Sequence, residues 1–346
     1  MSPALLKKMD FYLSELSRLS SVIGNNRALV QGSGGNTSVK CENRLYVKAS
    51  GFWLKDALKK NIFIPVSLPG VSRRLKRGEN DPVSPEVVKG KKTDGMRPSI
   101  ETTLHALMPH RFVIHVHPVN VIAYCILENG REKLEHLLAD MKWAWIPYAR
   151  PGLPLTCEVQ KVIHSKPDII VLANHGLVIG ADSTDDVFDL LNKLEKRLNR
   201  PLRNFHQQFN NKLIELVGGT GYRLPKHELI HAIALDRTAL NIANTRSLYP
   251  DHVVFLGPGP MPVMGVEKAR TWFASQKPEK DNHKAIIVRD VGVIVHESLS
   301  EGAEEMLRCL ADILLRVQSG EKLCYLTEND EAELMGWDAE KYRQSI

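Results

Sequence analysis

Three histidines of this chain stand at positions where their side chains could bind one metal ion. His115 and His117 are two residues apart in the segment FVIHVHP, which is predicted to be a buried strand, so both imidazoles project from the same face. His175 follows the apolar run IIVLA, at a strand end that can present a ligand into a cleft. Three neutral imidazoles leave a zinc-like ion with an open coordination position, as expected for catalysis. Zinc is favoured, and cobalt, nickel and manganese stay open from ligand type.

The carboxylate nearest to this set in the sequence is Glu101, on the helix predicted just before the HxH strand. It could serve as a fourth ligand, as a general base, or as both. The plainer interpretation is a solvated glutamate favoured by the helix dipole in the first turn. His105, one turn later, could compete as a ligand, but a helix-supporting or exposed role is simpler. An HxH pair alone can also arise by chance among 13 histidines.

Two glycine-containing segments could bind an anion through backbone N–H groups. The loop over residues 32–38, GSGGNTS, has consecutive glycines that permit such a nest, and Ser50-Gly51 adds a hydroxyl and an N–H group. The loop is not a dinucleotide fingerprint, because Thr37 stands where the third glycine of GxGxxG would be, and the GK[ST] ending of a P-loop is missing. A plain tight turn is the alternative for both segments.

These candidate residues must be positioned by alternating helices and strands. The first 20 residues form an amphipathic helix by their apolar spacing, and a strand-turn-strand unit follows. Residues 59–97 have the strongest turn signals, including Pro69-Gly70, and are predicted to be a loop. A helix begins with Ser99 as its N-cap, and the segment after His175 leads from a strand into a long helix with acidic residues first and basic residues last.

The C-terminal half contains an echo of the first half. A constant offset of 116 residues, as from Ile170 to Ile286, also pairs Gly176 with Gly292, and a long amphipathic helix follows each time. Any strand-turn-strand-helix unit could look similar, but we interpret the echo as a shortened duplication. His175 becomes Val291, so chemistry that needs this histidine should be absent from the copy. We predict a metal-binding domain over residues 1–205 and a degenerate domain without metal ligands over residues 206–346.

Composition narrows the class of protein. The chain has 346 residues, 43% of them hydrophobic, and a net charge of +6. All of that excess lies in residues 59–97, which favours attraction for small anions over a nucleic-acid footprint. The five cysteines are scattered without a CxxC pair, which suits a reducing compartment. No signal peptide or membrane-spanning run is recognisable, so we expect a soluble, cytoplasmic protein.

Several motifs of the sequence resemble those of a known family. The ordered set GSGGNTS, KASG, PSIE, HVHP and NHG is similar to the class II aldolase/adducin family, typified by the fuculose-phosphate and rhamnulose-phosphate aldolases, from about residue 12 to 200. The second half, with YPDHVVFLG and the degenerate repeat, is similar to the aldolase portion of longer proteins that also carry a short-chain dehydrogenase.

The resemblance implies a layered α/β fold with a central, mainly antiparallel sheet flanked by helices, plus the smaller C-terminal copy. It implies a zinc ion on His115, His117 and His175, with Glu101 as ligand and acid/base. It also implies a homotetramer acting on a small anionic substrate, such as a sugar phosphate. The residues that it implies for the phosphate pocket are Gly35, Asn36, Ser50, Gly51 and Ser99.

Two positions depart from the pattern of typical aldolases. Ile100 follows Ser99 where a second hydroxyl residue is common, and Leu155 stands where relatives often have a glutamate.

The sequence therefore predicts a metal-dependent lyase that cleaves a ketose phosphate or related hydroxy-keto compound through an enediolate stabilised by the metal. An epimerase, dehydratase or decarboxylase would need the same ligands, and so stays an alternative. A non-catalytic, adducin-like interaction module is the alternative from a different class, although such a scaffold has no need for three retained histidines.

Overall fold

The protein divides into two units of chain. The computed structural model describes residues 2–88, 90, 93, 95–205, 211–275 and 283–336. One unit holds the residues up to Cys125 together with Asn129–Asn199, and the other holds Ile126–Glu128 and Arg200–Gly336. The predicted boundary between residues 205 and 206 touches a stretch, 206–210, that lies outside the described residues.

A central sheet forms the first unit. Its seven described strands have the order β3-β2-β1-β4-β7-β6-β5. All neighbours are antiparallel except β5 and β6, which are parallel. The strands are β1 (Asn36–Cys41), β2 (Arg44–Lys48), β3 (Phe63–Ser67), β4 (Phe112–Val116), β5 (Trp143–Ile146), β6 (Ile169–Leu172) and β7 (Gly176–Ala181). The mainly antiparallel sheet that the sequence predicts is thus confirmed.

Helices cover both faces of this sheet. The α-helices described in this unit are α1 (Pro3–Gly24), α2 (Leu68–Lys76), α3 (Thr102–Leu107), α4 (Val119–Cys125), α5 (Gly130–Leu137), α6 (Leu153–Val162) and α7 (Thr184–Arg197). Strand β4 shows how the pleat divides the core. Ile114 packs in the cluster that includes α1 and α7 residues, whereas Val113 packs with Leu104 of α3 and Leu155 of α6. His115 shares the face of Val113, so the pleat directs it toward the α3 side.

Helix α7 begins with acidic and ends with basic residues as the sequence predicts, whereas α1 continues to Gly24, four residues beyond the predicted helix. Ser2 caps α1, which buries Leu16 and Leu19 on its apolar side. The Ser183 hydroxyl accepts a hydrogen bond from the Asp186 N–H at the start of α7, and that helix ends in basic residues.

Two local predictions were wrong. Residues 59–97 contain β3 and α2 instead of a continuous loop. Pro65 is tolerated because β3 is an edge strand, and Pro69 lies in the first turn of α2, where its missing N–H costs no hydrogen bond. Ser99 is not the N-cap of α3, since its hydroxyl accepts from the Glu101 N–H at 3.3 Å and Glu101 itself occupies the N-cap. The helix therefore begins at Thr102.

The second unit has a smaller sheet. Its four described strands have the order β8-β11-β10-β9. They are β8 (Tyr222–Arg223), β9 (Val263–Met264), β10 (Ala285–Val288) and β11 (Gly292–His296). The α-helices described here are α8 (Asn211–Val217), α9 (Ala232–Leu235), α10 (Arg237–Ala243), α11 (Pro250–Leu256), α12 (Val266–Ser275), α13 (Glu301–Arg316) and α14 (Glu328–Gly336).

The small sheet repeats the strand order and directions of four neighbouring strands of the large one. Strands β8-β11-β10-β9 have the same sequence of antiparallel, antiparallel and parallel pairs as β4-β7-β6-β5. The register also agrees, since the pair Ile169↔Ile179 has its counterpart in Ala285↔Val295, again 116 residues later.

The register of the remaining pair aligns β4 with β8. Val113 pairs with Gly180, and Tyr222 pairs with His296, which places Tyr222 at the position of Val113, 109 residues later. When this register is continued beyond Arg223, Leu224 and Lys226 correspond to His115 and His117.

Among the described residues, no helix is both long and apolar enough to cross a membrane.

Candidate metal centre

The three histidines meet at one buried point. His115 lies on β4, His117 comes directly after that strand, and His175 lies in the turn between β6 and β7. Because β7 is hydrogen-bonded to both β4 and β6, this turn is next to the end of β4. One ligand atom from each imidazole lies within 4.8 Å of the others, and the Nε2 atoms of His115 and His117 are 2.9 Å apart. The three residues are at most 6% exposed.

The turn between β6 and β7 approaches the end of β4 very closely. Asn174 adopts a left-handed conformation, with φ of 50°, just before His175. A Cβ atom on Gly176 would lie 2.6 Å from the Val116 carbonyl oxygen and 2.9 Å from Cδ2 of His117. Only a glycine therefore allows the three imidazoles to come together in this way.

Hydrogen bonding indicates which nitrogen of His115 faces the cluster. Its Nδ1 lies 3.1 Å from the Leu177 carbonyl oxygen, so Nδ1 carries the proton and donates it. The lone pair is then on Nε2, which lies 3.3 Å from Oε2 of Glu101. A carboxylate oxygen and an imidazole lone pair facing each other repel unless a cation lies between them. The residues therefore fit a metal ion, and a backbone carbonyl that orients a ligating imidazole is typical of metal sites.

Glu101 lies beside the three histidines, at the N-cap position of α3. Its side chain is buried, with Oε1 at 3.7 Å from Nε2 of His175 and Oε2 accepting a hydrogen bond of 2.8 Å from Nδ2 of Asn36. Among the described residues, Oε1 accepts no hydrogen bond. Burial by itself would raise the pKa of Glu101, but positive charge at the histidine cluster, chiefly at His115 and His175, and the Asn36 amide outweigh it and lower this pKa to about 2. The group is an ionised carboxylate at neutral pH.

His105 lies outside the three-histidine cluster. It is fully buried on α3, which rules out the exposed role considered from the sequence. Its Nδ1 lies 2.7 Å from Oγ of Ser38, and its Nε2 is hydrogen-bonded to Oδ1 of Asn36. Burial lowers the pKa of His105 to about 3, so the imidazole is neutral.

Two of the five residues that the family resemblance assigns to an anion pocket contact Glu101. Asn36 contacts Glu101, and the Ser99 hydroxyl accepts from the Glu101 backbone N–H. An isolated bridge joins Ala49 to Pro98, which puts Ser50 beside the segment that leads to Ser99. Gly35 and Gly51 both have positive φ, at 62° and 83°.

Sequence reasoning missed Lys48, which joins the two glycine-containing segments. Its buried Nζ donates to the carbonyl oxygens of Ser33 at 3.0 Å and Phe52 at 2.6 Å. The KASG motif contained this lysine, but the spacing gave no sign that its side chain turns toward the first loop.

One departure from the aldolase pattern has a structural explanation. Leu155 is 1% exposed on α6 and packs in the apolar cluster of α3 and β4. A leucine at this position therefore serves the core.

Known proteins and a family model are similar to part of this chain. The profile described as "Class II Aldolase and Adducin N-terminal domain" matches residues 15–199, more than half of the chain. An L-fuculose phosphate aldolase of Methanococcus vannielii is 25% identical over 186 residues, which are 52% of this chain and 91% of that protein. An uncharacterized oxidoreductase of Bacillus subtilis, YuxG, is 28% identical over 221 residues, or 58% of this chain. The matched part spans only 31% of the length of YuxG.

Among solved structures, the N-terminal class II aldolase domain of a conserved protein from Thermoplasma acidophilum is similar, with 27% identity and a TM-score of 0.47. The match covers 53% of this chain and 90% of that structure.

Proposed function

Because the chain belongs to the class II aldolase and adducin family, we propose that it is a metal-dependent lyase that cleaves a ketose phosphate or a related hydroxy-keto compound by retro-aldol chemistry. The observation that carries this proposal is the meeting of three buried imidazoles with one buried, ionised carboxylate. A scaffold without catalysis would have to bury these four groups at a considerable cost in desolvation.

His115, His117 and His175 would hold the metal. Three imidazoles suit zinc best, although ligand type also leaves cobalt, nickel and manganese open. A bound divalent cation would supply positive charge that draws electrons from the ketone and hydroxyl oxygens of a substrate. Glu101 is then either a fourth ligand in the resting site or a proton carrier, and the two roles can alternate.

Glu101 is the group placed to move the proton. As a carboxylate it accepts the proton of a substrate hydroxyl while the adjacent carbon–carbon bond breaks and releases an aldehyde. The electron pair of that bond stays on the carbon next to the ketone. Glu101, now protonated, returns its proton to this carbon, so that atoms and charge balance over the cycle.

The anionic end of the substrate would lie against Gly35, Asn36, Ser50, Gly51 and Ser99. These residues offer backbone N–H groups in turns, hydroxyls and an amide, which are the donors that a phosphate group accepts from. The Lys48 contacts to Ser33 and Phe52 hold the two loops together. We expect the active protein to be a homo-oligomer, as the family resemblance implies.

The second unit is, in this proposal, a degenerate copy without metal. In the shared strand register, His115, His117 and His175 correspond to Leu224, Lys226 and Val291. Leucine and valine offer no ligand atom, so the copy cannot build the same site.

A product screen with a matched pair of variants tests this function. Zinc-loaded protein is incubated with a panel of ketose 1-phosphates and related hydroxy-keto acids, and products are identified by NMR. We expect an aldehyde product from the wild type. The rate in Glu101→Gln should fall by at least about 100-fold, since a positioned proton carrier contributes at least this factor. Glu158→Gln, in a partly exposed residue of α6 paired with Lys161, is the control and should retain activity.

The other outcomes separate the alternatives. An epimer, a dehydrated product or released carbon dioxide would reassign the reaction within the family. A protein that fails to bind zinc and turns over none of these substrates would favour the adducin-like module.

A further inference from the structure

Side chains of strand β1 are hydrogen-bonded to α3 at its N-cap, in its last turn and at its C-cap. Alternate residues of the strand lie on one face, and on β1 these are Asn36, Ser38 and Lys40. Asn36 contacts Glu101 at the N-cap, Ser38 contacts His105 in the last turn, and Lys40 contacts the carbonyl of the C-cap residue, Met108. This polar stripe of β1, Asn36, Ser38 and Lys40, therefore sets the position of α3 against the sheet.

The donors and acceptors in this contact can be arranged in only one direction. The Asn36 amide donates from Nδ2 to Oε2 of Glu101, which leaves its Oδ1 to accept. His105 must then carry its proton on Nε2 to donate to this oxygen. Its Nδ1 consequently has the lone pair, and the Ser38 hydroxyl donates to it. Each link determines the next, from the carboxylate back to the strand.

We propose that His105 is a positioning residue that acts on Glu101 through Asn36, with Ser38 fixing the tautomer of its imidazole. The proposal rests on the proposed role of Glu101 as the proton carrier. Without the His105 N–H, the Asn36 amide is free to turn and present Oδ1 to the carboxylate, which would repel it. Glu101 would then lose the hydrogen bond that aims its side chain between His115 and His175.

A purely space-filling role for His105 makes a different prediction. The side chain is fully buried beside apolar residues of α3, and a leucine of similar volume could fill the same space. If packing were its whole role, replacement by leucine would leave the chemistry unchanged in the folded protein.

The first test measures the tautomer directly. In zinc-free wild-type protein labelled with 15N-histidine, NMR should show His105 with a protonated Nε2 and an unprotonated Nδ1, and Ser38→Ala should alter the Nδ1 signal. A proton on Nδ1 in the wild type would overturn the proposal. This result does not depend on any enzymatic activity. It therefore separates failure of the hydrogen-bond chain from Ser38 through His105 and Asn36 to Glu101 from failure of the proposed lyase function.

The second test compares two replacements of His105. His105→Leu removes the donor, and His105→Gln keeps an amide N–H that can reach Asn36. We expect His105→Leu to lower kcat by roughly 10- to 100-fold with little change in KM and in metal content, as for loss of an outer hydrogen-bond partner. His105→Gln should recover most of this loss.

In the kinetic test, two results would contradict the positioning role of His105. One is a leucine variant with the kcat of the wild type, and the other is an equal loss in the leucine and glutamine variants. If His105→Leu does not fold, Ser38→Ala takes its place, with Ser38→Thr as the conservative variant that retains the hydroxyl.

Discussion

At the scale of single residues, the centre depends on where the glycine loop contacts the metal-binding strand. Gly35 adopts a φ of 62° directly before Asn36. A Cβ atom at Gly35 would lie 2.9 Å from the carbonyl oxygen of His115, which is shorter than a carbon–oxygen contact allows. Any side chain at this position would therefore push on the backbone of a proposed metal ligand.

The variant Gly35→Ala tests this contact, with Gly78→Ala as its control. Gly78 has a similar φ of 68° but no atom within 4 Å of an added Cβ. Both variants should lose about 1 kcal/mol of unfolding free energy from the left-handed conformation. Only Gly35→Ala should also weaken zinc binding, by about tenfold in a chelator competition, since displaced ligands bind metal less well. Equal zinc affinities of the two variants would show that the contact is unimportant.

The histidines could be predicted from the sequence because their signals are local. An HxH pair on a strand has its geometry built in, and His175 follows a strand that any apolar pattern reveals. The bond from His105 to Asn36 joins residues 69 positions apart and depends on how α3 lies across β1. Sequence spacing contains no information on that packing, and so the roles of His105, Ser38 and Lys48 required the structure.

At the scale of elements, β1 and α3 are joined by a half-buried lysine. Lys40 Nζ donates to the carbonyl oxygens of Met108 and of His110, at 3.1 Å for the second, just beyond the end of α3. Cations are favourable at a helix C-terminus. Burial nevertheless lowers the pKa of Lys40 from 10.5 to about 8, because the charged amine is largely removed from water.

The contribution of Lys40 to the free energy of unfolding should therefore rise with pH in alkaline solution. Between pH 8 and 10.5 the folded lysine has released its proton and the unfolded one has kept it, so the unfolded state binds more protons and is disfavoured as pH increases. The gain attributable to Lys40 is at most roughly 3 kcal/mol over this window. Denaturant unfolding of wild type and Lys40→Met should differ in slope against pH, whereas Lys161→Met, in an exposed residue, should follow the wild type. Parallel curves for wild type and Lys40→Met would contradict this account.

At the scale of the whole molecule, the smaller sheet repeats the order of four strands of the larger one, and among the described residues only the larger sheet brings three histidines together. The turn after β6 and the turn after β10 are alike even in backbone conformation, with φ of 50° at Asn174 and 59° at Asp290. The constant offset made this echo visible in the sequence. The correspondence of Leu224 and Lys226 to His115 and His117 became clear only from strand register, because these residues lie at a different offset from their counterparts.

Exchanging the residues at one equivalent position tests the assignment of a single site. His175→Val, which copies the second unit into the first, should abolish metal binding. Val291→His, the reverse exchange, should leave the metal content at about one ion per chain, because Leu224 supplies no ligand. Two ions per chain in Val291→His would show that the copy retains a binding site and that the register is misassigned.

The most direct test of the central claim is the metal content of the protein, measured by elemental analysis after purification without added metal. Wild type, His117→Ala and the exposed-residue control His136→Ala are compared. We predict about one zinc or similar ion per chain in the wild type and in the control, and its loss in His117→Ala. A wild-type protein that is empty and fails to take up zinc would contradict the metal centre, and with it the lyase function.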